Sequence, residues 1–120
     1  AHHLTKDGCF VVEAAVPHAW ITPGESNYVH AEHVGKQSVF LDVARYDPVT
    51  QLLEENHIQL TPSGITMNPI VCRLITPGEM DLMARIAGMY LIKRYANWQR
   101  SIFEEHSKAH ISVYGLNATR

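Results

Sequence analysis

The stretch "ITPGEMDLMARIAGMYLIKRYANWQRSIFEEHSKAH", Ile75 to His110, decides how the rest of the chain can be arranged. Thr76 stands three residues before Glu79, with Pro77 directly after it. The hydroxyl can accept the third helical N–H, the carboxylate can reach back to the cap's own N–H, and proline loses nothing at the first helical position. A helix therefore starts here. At about 100° per residue, Met80, Met83, Ala84, Ala87, Leu91, Tyr95, Trp98 and Ile102 fall on one side. The spacing predicts a helix over 77–108, ~48 Å long at 1.5 Å per residue. A compact domain of this size is only roughly 35 Å across. Such a helix overhangs, or it bends at Gly88, where the missing side chain weakens it by about 1 kcal/mol relative to Ala.

The first five residues of that stretch, "ITPGE", also occur at Ile21 to Glu25, and "LTPSG" lies between them at Leu60 to Gly64. The flanks of the two copies share nothing, so they are not a duplication. Pro-Gly at the centre of four residues suits a type II turn and Thr-x-x-Glu suits a capping box. Good helix formers follow Glu79, whereas Ser26, Asn27, Tyr28 and Val29 follow Glu25. The first copy is therefore expected to be a turn between strands.

Around these markers the pattern is that of strands. "CFVVEAAV" (Cys9 to Val16) is short, apolar and rich in β-branched residues, and "QSVFLDVAR" places Val39, Leu41 and Val43 on one drier face. A three-strand antiparallel meander is expected over residues 9–45. "DPVTQLLEEN" offers Asp47 as an N-cap and Pro48 as a first helical residue, which predicts a short helix near 48–56. "HIQL" and "ITMNPIVCRLI" flank a tight "TPSG" connection, with Pro69 restricting the second run to an edge or a bulge. "HISVYG" supplies a last strand. The expected fold class is α+β: an antiparallel sheet of about five or six strands packed against one long helix in the C-terminal half, in a single domain over 1–120. Residues 1–8 are expected to be disordered or tag-derived, and His2 and His3 are set aside.

Composition narrows the functional classes. An apolar share of 46% and a charged share of 18% suit a globular body. No apolar run reaches the length of a membrane span. Ten basic against twelve acidic residues, a net charge of −2, disfavour a nucleic-acid surface, although Lys93, Arg94 and Arg100 gather locally. Cys9 and Cys72 are read as free, buried, structural thiols, which points to the cytoplasm.

The densest polar cluster is "HAEH", His30 to His33. On a helix His30 and His33 would share a face; on a regular strand His30 and Glu32 would share one and His33 would point away. His18, His30, Glu32 and His33 are the candidate metal ligands, a His and carboxylate set suited to Zn, Mn or Fe. His30 and His33 are also the candidate catalytic acid–base groups, because histidine titrates near neutrality. Tyr90, Arg94, Tyr95 and Trp98 are the candidate ligand-binding residues, with Arg94 conspicuous as a cation on an apolar side that must stack, pair or reach into a site. The sequence contains no G-x-G-x-x-G or Walker-type phosphate loop.

Two functions are compatible with these features. The first is a non-catalytic binding or assembly module, a homodimer that uses the helix over 77–108 to cover Trp98, Ile102 and Phe103. The second is a small metal-dependent enzyme or small-molecule-binding protein with its site near His18, His30, Glu32 and His33.

Overall fold

"AHISVYGL" alternates His110, Ser112 and Tyr114 against Ile111 and Val113, and the structure, a computed structural model, shows how the polar set comes to be buried through hydrogen bonds. The structure describes residues 1–22 and 24–116. Ala109–Leu116 is β7, the centre of a three-stranded sheet in the order β1-β7-β6, where β1 is Cys9–Ala15 and β6 is Met89–Tyr95. It runs antiparallel to both neighbours, so β1 and β6 are parallel to each other. Being central, β7 is paired along both edges, and His110, Ile111, Ser112 and Tyr114 are all buried.

The capped start at Thr76 forms as the residues require. Thr76 Oγ1 accepts the Glu79 N–H at 3.2 Å and the Glu79 carboxylate accepts the Thr76 N–H at 2.8 Å. The helix it opens, α1, spans only Pro77–Ile86. The expected helix over 77–108 is thus corrected to ten residues. Gly88 takes φ +77°, a left-handed conformation that glycine adopts without strain, and the chain turns out of the helix there. The Ala87 and Gly88 N–H groups bond the Met83 and Arg85 carbonyls at 3.1 and 3.0 Å, satisfying the helix end. "MYLIKRY" then forms β6, with a bulge between Leu91 and Lys93. That bulge places Leu91 and Arg94 three residues apart on one face of a strand, a spacing that imitates a helical stripe. Ala84 of α1 packs with Met89 and Tyr114, and Leu4, Val12, Met80, Leu91 and Leu116 surround them.

The second sheet is a meander of four antiparallel strands in the order β2-β3-β4-β5. They are Asn27–Val34, Val39–Asp47, Leu52–Thr61 and Gly64–Arg73. The expected meander over 9–45 is corrected here, since Cys9–Ala15 joins the other sheet. The expected helix near 48–56 is also absent. The Asp47 carboxylate accepts the Val49 N–H at 2.9 Å, an Asx turn in place of a helix cap, and Gln51 adopts φ +61°. Leu52 onward is strand, paired on both sides. "TPSG" makes the tight connection between β4 and β5, and Pro69 lies on β5, an edge strand where its missing N–H costs no ladder bond. At the first "TPGE" the Glu25 N–H bonds the Thr22 carbonyl at 3.1 Å and Gly24 has φ +83°, a turn as expected, although Pro23 itself lies outside the described residues.

The chain divides into two compact units, one of residues 1–20 and 75–120 and the other of residues 21–74. The expected single sheet of five or six strands against a long helix is therefore replaced by two antiparallel sheets and, among the described residues, one α-helix. No described helix is long and apolar enough to cross a membrane. Both cysteines are free and exposed, which corrects the expectation of buried thiols.

Candidate functional site

Each unit carries one concentrated group of polar side chains. In the unit of residues 1–20 and 75–120 the group centres on Arg94, whose side chain is only 12% exposed. The guanidinium grips Asp81 with two nitrogens, at 2.6 and 3.2 Å, and its Nε donates to Ser112 Oγ at 2.8 Å. Tyr114 donates its hydroxyl to Asp81 Oδ1 at 2.7 Å and accepts from Arg94 at 3.1 Å. Burial opposes the Asp81 charge, but the bonds from Arg94 and Tyr114 outweigh it and hold the carboxyl below its usual range. Burial, with the bond to Asp81, raises the Tyr114 phenol. His110 ends the chain of contacts, with Nδ1 2.7 Å from Ser112 Oγ and its ring edge-on to Phe103. Burial first, and the Arg94 charge second, push the His110 pKa down.

This network explains the cation that stood out in the sequence: Arg94 is both paired with an acid and placed 5.8 Å from the Phe103 ring centre. The other expected ligand-binding residues do not converge with it. Tyr90 and Trp98 are exposed, and Trp98 donates its indole N–H to Glu13. Tyr95 pairs with Ile111 and bridges to Ile102.

In the unit of residues 21–74 the group lies on one face of the meander, and the register dictates its membership. Residues directly opposite one another share a face, so His30, Asp42, His57 and Asn68 form one row and Tyr28, Ala44, Glu55 and Ile70 the next. A bulge between Ala31 and His33 sets His33 opposite Phe40, on the same face as His30. The two histidines thus share a face without a helix. His33 rests against the Phe40 ring, 5.3 Å between centres. Glu32, the extra residue of the bulge, brings Oε1 to 3.5 Å from His57 Nδ1, while Glu55 Oε2 stands 3.2 Å from His57 Nε2. The imidazole is held between two carboxylates.

Tyr28 donates to Asp42 Oδ2 at 3.4 Å. Its phenol is pushed up to about 12 by burial and by the charges of Asp42, Glu55 and Glu32. The other Asp42 oxygen is sheltered from solvent and has no partner among the described residues. Asp42, Glu55 and His57 place one ligand atom each within 4.8 Å of one another, the one such group among the described residues. Of the expected metal set, Glu32 reaches this cluster and His30 shares its face; His18 lies on a one-turn helix at Pro17–Ala19, in the other unit. Sequence reasoning missed Asp42, Glu55 and His57. The available signal was the polar alternation of Asp42 in β3 and of Glu55 and His57 in β4; the expected helix near 48–56 hides Glu55, and only the pairing of β3 with β4 brings the three together.

The charge of this face is unbalanced. Among the described residues no lysine or arginine is paired with Glu32, Asp42 or Glu55; His57 lies against Glu32 and Glu55, and Arg45 points to the opposite face and pairs with Glu54 at 2.7 Å.

No family model matches the chain, and no curated protein matches it. Solved structures do. The CcbJ methyltransferase from Streptomyces caelestis is 33% identical with a TM-score of 0.90, over 98% of this chain and 47% of its own. An S-adenosylmethionine-dependent methyltransferase from Clostridium acetobutylicum is 8% identical with a TM-score of 0.78, over 98% of this chain and 48% of its own. The sugar N-methyltransferase KedS8 from Streptoalloteichus is 12% identical with a TM-score of 0.51, over 97% of this chain and 45% of its own. The two more distant likenesses show a shared fold. This chain spans about half the length of the structures it matches.

The likeness to methyltransferases overturns the expectation of a non-catalytic assembly module. The helix over 77–108 that was to build the module's homodimer does not exist as one element.

Proposed function

We propose that this chain belongs to the catalytic body of an S-adenosylmethionine-dependent methyltransferase, and that the polar face of its four-stranded sheet receives a small acceptor bearing a basic nitrogen. The observation that carries the reading is the 33% identity to CcbJ, extending over 98% of this chain at a TM-score of 0.90. S-adenosylmethionine, when bound, supplies a methyl group activated by its sulfonium sulfur. The chain has no G-x-G-x-x-G turn of the kind that cradles a dinucleotide.

The residues of the sheet fit the acceptor side. Three carboxylates around one imidazole attract a cation, and a sheltered, unpartnered Asp42 oxygen is placed to accept an N–H. An amine becomes a nucleophile only after losing its extra proton. His57 is the group to take it, and Glu32 and Glu55 on its two nitrogens stabilise the imidazolium that results. Tyr28, kept protonated by the surrounding negative charge, remains a hydrogen-bond donor to Asp42. His30 and His33 border the same face and take part in shaping acceptor access. The exposed, unpaired cysteines suit a reducing cytoplasm.

Incubating the full-length protein with methyl-labelled S-adenosylmethionine and a panel of amino sugars, alkylamines and their hydroxyl analogues tests the proposal. Label should pass to amines and not to the matched alcohols. Transfer to alcohols alone would overturn the acceptor assignment, and transfer to none of the panel, with S-adenosylmethionine left unbound in calorimetry, would overturn the methyltransferase reading.

A further inference from the structure

Asp42, Glu55 and His57 stand on the two inner strands of the meander, and the ladder between β3 and β4 fixes where they meet. Asp42 and His57 are directly opposed in the register, and Glu55 lies two residues before His57, so all three share a face. One ligand atom from each falls within 4.8 Å of the others. Glu55 Oε2 and His57 Nε2 are 3.2 Å apart. Donor atoms held about 2.0–2.2 Å from one ion lie roughly 3 Å from each other, so this pair already has the spacing of neighbouring ligands.

A protonated imidazole against a carboxylate would give the same distance, and two further observations separate the cases. One Asp42 oxygen is sheltered from solvent and has no partner among the described residues, while the other accepts from Tyr28 at 3.4 Å. A sheltered carboxylate oxygen left open costs free energy until something positive meets it. The second observation is the other nitrogen of His57, Nδ1, which faces Glu32 Oε1 at 3.5 Å. A ring that holds an ion through one nitrogen characteristically donates the other N–H to a carboxylate, which fixes its tautomer and orientation. With Glu32 included, three carboxylates surround a ring whose single positive charge answers them only in part.

We propose that Asp42, Glu55 and His57 bind a divalent transition ion of zinc's class. One imidazole and two carboxylates match the mixed nitrogen and oxygen preference of such an ion, and three protein ligands leave its fourth position open towards solvent, where the His57 side chain is 38% exposed. Magnesium and calcium ask for six or more ligands, all oxygen, and suit the set poorly. The ion and the amine acceptor described above call on the same groups, His57 and the Asp42 carboxylate. The ion therefore excludes the amine and blocks transfer. That consequence rests on the acceptor reading, whereas the metal site does not.

Calorimetric titration of the full-length protein with zinc tests the site, in a Cys9→Ser, Cys72→Ser background that removes the exposed thiols as competing ligands. Asp42→Asn, Glu55→Gln and His57→Gln should each weaken zinc binding about 100-fold, and Glu32→Gln about 10-fold. Glu54→Gln, on the opposite face of β4, should leave it unchanged, and excess magnesium should not compete. Circular dichroism establishes that each variant is folded. A second readout needs no change to the cluster: added cobalt should broaden the imidazole resonances of His57 ahead of those of His18 and His106. Zinc held equally well by folded Asp42→Asn and His57→Gln proteins would show an adventitious ion only and overturn the site, as would His57 resonances that cobalt leaves sharp. Rising amine concentration should weaken the apparent zinc affinity. Zinc bound in the cluster with methyl transfer undisturbed would support the metal site and overturn the placement of the acceptor there.

Discussion

The two polar clusters of this chain use similar ingredients to opposite ends. Around Arg94 every strong charge is answered: one guanidinium, one carboxylate, a phenol and a hydroxyl share five hydrogen bonds, with Arg94 of β6 and Ser112 and Tyr114 of β7 on one face of the sheet. Around His57 three carboxylates surround one titratable ring, and an Asp42 oxygen is sheltered without a partner. A closed network holds a fold together. An open one, whose charges repel until something positive arrives, costs stability and is retained where a ligand completes it.

The sharpest way to break this contrast is to damage each cluster in turn. Asp81→Asn leaves Arg94 buried without its counter-charge and should cost about 3 kcal/mol in urea unfolding. Glu55→Gln should do the reverse. It relieves repulsion, so the unfolding midpoint should hold or rise, while methyl transfer to amines falls about 100-fold through loss of acid–base support at His57. Equal destabilisation by both substitutions would erase the distinction drawn here.

A smaller effect separates the clusters by pH. His110, buried among Ser112, Phe103, Arg94 and Asp81, has its pKa depressed below the ordinary 6.5. Below 6.5 the unfolded chain therefore binds a proton that the folded chain refuses. Stability should fall as pH drops from about 6.5 towards the depressed value, by at most about 1.4 kcal/mol per pH unit, and level off beneath it. Thermal melts from pH 7.5 to 5 should show the slope, and His110→Asn should flatten it. The smallest expected change is at the helix start. Thr76→Ala removes one half of the capping box and should cost about 1 kcal/mol, with no effect on transfer to amines.

How much of this was legible in the residues depends on where local chemistry acts alone. The capping box at Thr76, the turn at Thr22 to Glu25 and the tight Pro62-Ser63 connection were all readable, because each is decided within four or five positions. The length of α1 was not. Leu91 and Arg94 share a strand face only because of a bulge, and a step of three residues between like-facing positions is what a helix also produces. The same irregularity misled the reading of His30 and His33, which a regular strand would have separated. Asp47 and Pro48 are competent to start a helix, and what prevents one is the pairing of Leu52–Thr61 with strands on both sides, a non-local gain invisible in a short window. Arg94 was recognisable as a cation out of place. Its partners Asp81 and Ser112 lie 13 and 18 positions away, beyond any periodicity argument.

The pairing of Cys9–Ala15 with Ala109–Leu116 has a consequence for how the chain acquires its structure. Strands β2 to β5 join only to their sequence neighbours, so that meander has low contact order and can form as soon as residue 73 is available. β1 must wait for a partner about a hundred positions later. Until then the backbone edge that β7 occupies lacks that partner in a growing chain, the condition under which strands find the wrong neighbour. An interruption of synthesis between residues 75 and 108 would leave a folded meander beside an aggregation-prone strand, and chaperone demand during production should peak over that interval.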